Sequence, residues 1–223
     1  MEYQTRAQSS PAIDAGLRQY MLSVYNYMAS GLALTGLVAY MLFQATAVMG
    51  PTGEIVGLTN LGVTLYTGPM MWVVALAPLG IVMYMSFGIQ GMSASRAQTM
   101  FWVFAFLMGL SLSTIFLTYT GASIARVFFI TASTFGAMSI YGYTTKRDLT
   151  NFGSFLFMGL IGIIIASIVN IFMQSPALYY GISILGVLIF VGLTAYDTQK
   201  IKNMYMAYDL SLIHISEPTR PSI

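Results

Sequence analysis

The stretch Phe190-Val-Gly-Leu-Thr-Ala-Tyr-Asp-Thr-Gln-Lys200 holds the acidic residue that interrupts a long apolar run, Asp197. A carboxylate at or near bilayer depth is costly unless it is paired, hydrated or protonated, so it marks a functional position by default. Two kinds of chemistry suit it. It can carry a proton, or it can lend oxygen to an ion. Thr194, Thr198 and Lys200 on the same segment, and Asn170 on the preceding one, are the candidate supporting polar groups. A structural role competes with both chemistries. Asp197 lies about eighteen residues into its segment, roughly 27 Å along the axis at 1.5 Å per residue. That depth is close to one membrane surface, where Lys200 at i+3 is placed to form an interfacial ion pair.

Other chemistry is excluded by absence. Cysteine is missing and the only histidine, His214, lies in the C-terminal tail. Disulfides, thiolate nucleophiles, Ser–His pairs and clustered metal ligands go with them. No phosphate-binding loop or dinucleotide fingerprint appears. An intramembrane aspartyl protease needs two carboxylates sharing a proton. The chain offers neither a second membrane acid nor a Gly-x-Gly-Asp motif, so it is not expected to be an enzyme. No cofactor is expected from these residues.

The elements that must position Asp197 are membrane helices. Hydrophobic residues make up 57% of the chain and charged residues 7%, with a mean hydropathy of +0.75. Soluble domains carry about a quarter charged residues, so the bilayer is the expected solvent and partner. A formal charge of +2, scattered along the chain, argues against nucleic acid. The 17 methionines read as soft packing residues. Six segments are long enough to span, near Tyr20–Val48, Met70–Ile89, Thr99–Tyr119, Ala125–Tyr143, Phe155–Met173 and Tyr179–Lys200. They lack the alternation of barrel strands, so the fold class is an all-α integral membrane protein, a polytopic helical bundle. Gly50-Pro-Thr-Gly53 opens the longest connection, which runs to about Pro69. The polar residues 1–19 form an N-terminal segment without an export signal, and residues 20–206 form the membrane domain.

If the helices alternate, Arg6, Arg18, Arg96, Lys146, Arg147, Lys200 and Lys202 share one side, leaving Arg126 and Glu54 on the other. The positive-inside rule makes the N-terminus cytoplasmic. Small residues at helical spacing mark close approaches, with Ala132 and Gly136 expected to meet Gly159 and Gly162. Ser111, Thr114 and Thr118 share a face and either line a polar path or bond to their own backbone. Asn170 is expected to bond to a neighbouring helix.

Three motifs carry a resemblance. Gly109-Leu-Ser-Leu-Ser-Thr-Ile-Phe116, Tyr141-Gly-Tyr-Thr-Thr-Lys-Arg-Asp-Leu149 and Gly192-Leu-Thr-Ala-Tyr-Asp-Thr-Gln-Lys-Ile201 resemble the Bax inhibitor-1 family in its bacterial inner-membrane branch. The likeness extends from about Tyr20 to Met206. It implies a seven-helix fold, of which six helices are expected here, in the bacterial inner membrane. It implies a pH-sensitive calcium leak whose sensor is a pair of aspartates, with a calcium ion at Asp197 as the one cofactor expected. Asp197 matches the first. The second belongs to a last helix that the chain does not reach. Asp209 comes too early and outside any helical run, and the family's arginine on helix two has no counterpart. With Asp197 alone, switching and selectivity are expected to be impaired. The alternative implied by some relatives is a modulator of a membrane-anchored ATP-dependent protease, for which residues 1–19 would matter.

Residues 207–223 form a tail unlike the rest. It resembles a translated sequencing adapter in place of a native C-terminus, contains Pro218 and Pro221, and is expected to be disordered.

Overall fold

A computed structural model describes the backbone over 11–88 and 91–216 and the side chains over 15–88 and 91–206. Most of the N-terminal segment, on which the protease-modulating reading depends, lies outside the described residues. Helices dominate: α1 Pro11–Thr46, α2 Asn60–Tyr66, α3 Pro69–Gly88, α4 Ala94–Leu112, α5 Ile115–Thr118, α6 Gly121–Thr144, α7 Thr150–Met173 and α8 Pro176–Ser216. Six stretches are long and apolar enough to cross a membrane: Ala15–Thr46, Pro69–Gly88, Ala94–Thr118, Gly121–Thr144, Thr150–Met173 and Pro176–Met206. The fold is therefore all-α and polytopic. Large apolar side chains stay uncovered along these spans, such as Phe172 at 83% exposure and Phe155 at 68%. Such surface is tolerated where lipid is the solvent.

The chain forms two units, Ser23–Val127 and the residues on either side of it. In the Ser23–Val127 unit the long first connection is not a plain loop. Strands β1 Ala47–Met49 and β2 Ile55–Leu58 pair antiparallel, with Ala47 opposite Leu58 and a bulge between Val48 and Met49. Gly53 turns the hairpin at φ 82, a backbone region that costs glycine little. Thr59 then caps α2 by accepting from the Gly62 amide at 3.2 Å. Helix α1 lies against α4 through small side chains, with the Thr35 hydroxyl donating to the Ala105 carbonyl at 2.9 Å. A side chain at Gly109 would meet the Thr35 carbonyl at 2.8 Å. The Tyr66 hydroxyl joins Ser113 Oγ at 2.7 Å and Thr46 Oγ1 at 3.2 Å. Thr46 and Ser113 are fully buried. On the face proposed for a polar path, Thr114 Oγ1 donates to the Ser111 carbonyl at 3.2 Å, a local backbone bond across the turn between α4 and α5.

In the other unit the start of α1 buries Leu17 and Met21. Tyr20 stacks on Tyr205 of α8, with ring centroids 5.1 Å apart. Helices α7 and α8 pack along their length. Gly192 approaches Leu156, Gly159 approaches Ile189, and Gly153 lies under the Tyr196 ring. The turn between them places Gln174 at φ 48, and Pro176 opens α8 with its fixed φ.

Three expectations are corrected. Gly136 and Gly162 face open space, while Gly159 packs on α8 rather than on α6. The tightest approach in this unit is instead Gly142 of α6 against the Ala195 backbone of α8. Asn170 does not reach across to a neighbour, because its Oδ1 accepts from the Ser175 amide at 3.0 Å and closes the end of α7. Helix α8 continues to Ser216, so Asp209 and the first part of the tail have helical backbone. Between 207 and 216 there is neither Gly nor Pro, and an established helix propagates more readily than it nucleates. Residues 217–223, with both tail prolines, lie outside the described residues.

Candidate functional site

The middle of α8 grips the α6–α7 connection at two points. Gln199 is buried at 8% exposure. Its Oε1 accepts from the Leu149 amide at 2.9 Å, and its Nε2 donates to the Arg147 carbonyl at 2.8 Å. Lys202 Nζ donates to the Tyr143 carbonyl at 2.7 Å and sits 5.1 Å above the Tyr143 ring centroid. The Tyr143 carbonyl lies in the last turn of α6, where carbonyls lack helical partners and the dipole favours a cation. Within the connection, Asp148 Oδ1 accepts from the Thr150 amide at 2.9 Å and its hydroxyl at 2.6 Å. Those two bonds hold the Asp148 carboxyl below the usual carboxylate range, the hydroxyl having the larger effect.

Asp197 stands apart from this clasp. Ala195 and Gln199 are buried on one face of α8, and Asp197 is exposed. Residues two apart on a helix point to nearly opposite sides, so the carboxylate is turned away from the face that packs on α6 and α7. It is the acid that falls within the six membrane-length spans. Its Oδ atoms form no hydrogen bond among the described residues.

The supporting groups named from the sequence scatter. Thr194 Oγ1 donates to the Phe190 carbonyl at 2.8 Å in its own helix. Thr198 is buried at 3% exposure. Lys200 sends its ammonium over the Tyr196 ring, 5.9 Å from the centroid, and acts on Asp197 only through longer-range electrostatics. Asn170 closes the far end of α7 and does not join them. Among the described residues no group of three or more His, Cys, Asp or Glu side chains converges to hold a metal ion. The Gln199 clasp, the Lys202 contact and the Tyr66–Ser113 link went unread in the sequence. The one signal for the first was a neutral amide in a membrane-length span.

A family model described as "Inhibitor of apoptosis-promoting Bax1" matches residues 17–216. The chain belongs to the Bax inhibitor-1 family. It is 49% identical over 201 residues to an uncharacterized protein of Rickettsia prowazekii, covering 90% of this chain and 80% of that protein. A Caulobacter vibrioides protein is 47% identical over 199 residues, covering 87% of this chain and 76% of its own. The inner membrane protein YbhL of Escherichia coli is 46% identical over 194 residues, covering 85% and 76%. No solved structure matches the chain. All three motifs that carried the resemblance fall inside the matched residues, as do the Gln199 clasp and Asp197. This Bax inhibitor-1 family member is thus a multi-pass membrane protein, and among the described residues Asp197 is the carboxylate within its membrane-length spans.

Proposed function

We propose that the protein is a pH-responsive leak for cations, calcium among them, with Asp197 as its proton-sensing group. The observation that carries the reading is the position of that carboxylate. It sits in a membrane-length helix, exposed on the face opposite the Gln199 clasp, and the described fold makes no structural use of it. An ionised carboxylate near the bilayer demands hydration or a cation, whereas its protonated form does not. Protonation therefore favours whichever arrangement of α8 leaves the group drier, and the equilibrium moves by the difference in proton affinity between the two states. The clasp makes α8 and the α6–α7 connection move together, so a shift in α8 is felt at the basic loop. Calcium would need further oxygens from carbonyls or water, since one carboxylate fills few of its six to eight ligand positions.

The same reading sets the protein in the bacterial inner membrane with its N-terminus cytoplasmic. It is supported by the Lys and Arg asymmetry and by the name of the Escherichia coli relative. Topology reporters fused within the β1–β2 hairpin and after Lys146 are expected to report outside and inside respectively.

Calcium flux into dye-loaded liposomes tests the leak directly. The parent protein is expected to show a flux that changes between neutral and mildly acidic pH. Asp197→Asn should abolish that change, because an amide exchanges no proton in this range. Equal pH dependence in both proteins would remove Asp197 as the sensor. A protein acting only as a modulator of a membrane protease would show no flux at any pH.

A further inference from the structure

A cavity of about 240 Å³ lies beside the clasp, lined by Thr150, Tyr196, Gln199, Lys200, Asn203 and Met204. Its polar groups divide sharply into committed and free. Both ends of the Gln199 amide are used on Leu149 and Arg147, and the Thr150 hydroxyl and amide are used on Asp148. Lys200 and Asn203 form no hydrogen bond among the described residues. Their donors are thus available to something that enters the cavity. The acid nearest Thr150, Asp148, is outside the lining and already accepts two hydrogen bonds.

Location narrows what that something is. The cavity sits where the membrane-length span Thr150–Met173 begins and the span Pro176–Met206 ends, the level at which a membrane surface is expected. The α6–α7 connection adds Lys146 and Arg147 at this level, and the Gln199 bond to the Arg147 carbonyl fixes where that segment runs. The remaining walls come from Tyr196, an aromatic ring with a polar tip, and the half-exposed Met204. Further along α7, Phe155 presents bare apolar surface to the bilayer. A cationic, amide-bearing mouth above an apolar wall matches a molecule with an anionic head and a hydrocarbon tail.

We propose that this cavity binds the headgroup phosphate of an anionic phospholipid. Lys200 supplies the charge and Asn203 donates from its amide to a phosphate oxygen. Tyr196 and Met204 lie against the glycerol and upper acyl chain. This site does not depend on the leak, although Lys200 at i+3 and Met204 at i+7 share the helix face of Asp197, whose carboxylate feels the Lys200 charge without a hydrogen bond to it.

Native mass spectrometry of the full chain in detergent, with added phosphatidylglycerol or phosphatidylcholine, reads the site. The parent should retain phosphatidylglycerol in preference to phosphatidylcholine. Removing one basic residue near a membrane surface weakens anionic-lipid binding by roughly fivefold, so Lys200→Gln should lose most of the preference. Lys200→Arg should keep it, and Asn203→Leu should lower it. Arg126→Gln, which alters a cation at the opposite end of α6, should leave it unchanged. Lys200 and Asn203 are exposed, and an unshifted melting temperature in the variants shows that the fold is intact. Equal retention of the two lipids by the parent overturns the proposal, as does a preference that survives Lys200→Gln. Displacement of the lipid by inorganic phosphate at equal concentration would make this a free-phosphate site and overturn the lipid assignment.

Discussion

Gly142 offers the sharpest test of how the α6–α8 contact is built. A methyl group added there would collide with the Ala195 carbonyl oxygen and lie 3.0 Å from the Ala195 C and Cα atoms. Carbon atoms are comfortable at about 3.5–4.0 Å. Relief therefore requires the two helices to part by on the order of 0.5–1 Å. Every obstructing atom is backbone, so no rotamer change can make room. Overpacking of this kind costs about 1–3 kcal/mol. Glycine-to-alanine in a helix also gains up to about 1 kcal/mol in propensity, and a suitable control cancels that gain. Gly136 lies on the same helix with nothing within 4 Å of an added methyl. Gly142→Ala is thus expected to be less stable than Gly136→Ala by about 1–3 kcal/mol, read from unfolding of both variants in one detergent. Equal stability would mean that α6 and α8 do not approach through this glycine, and the packing described for this unit would be wrong.

Other consequences follow from the same contacts. Gln199→Leu strips the buried Leu149 amide of its acceptor, which costs about 1–3 kcal/mol; faster hydrogen exchange at Leu149 should accompany the lowered melting temperature. Tyr66→Phe removes the hydroxyl linking Thr46 to Ser113, at a cost of about 0.5–1.5 kcal/mol in thermal stability. Asp148 titrates below the ordinary carboxylate value of about 3.9 because the folded state stabilises its anion. Its contribution is complete above that ordinary value and disappears as pH falls through the lower folded one. The melting-temperature gap between the parent and Asp148→Asn should accordingly close on acidification below about 4, and a gap that widens there would reverse the assigned sign.

The spans were legible because lipid imposes a length and a composition that no soluble element shares. Within them the sequence pattern stops short of rotation. Gly136 and Gly162 carry the same small-residue signal as Gly142 and Gly153, yet only the second pair meets another helix. A small residue permits close approach, and the turning of the whole helix decides which one is used. The β1–β2 hairpin was hidden because strands of three and four residues are too short to display alternation.

Gln199 was hidden for a different reason. A buried amide must find partners, but its partners here are the backbone groups of Arg147 and Leu149, which any residue would supply. No complementary side chain announces the bond. Asp197, being charged, drew attention that its neighbour two residues later did not. The structure separates their roles: Gln199 and Lys202 hold α8 to the α6–α7 connection, and Asp197 points the other way. The proposed proton response rests on that carboxylate, which lies in a membrane-length span and forms no hydrogen bond among the described residues.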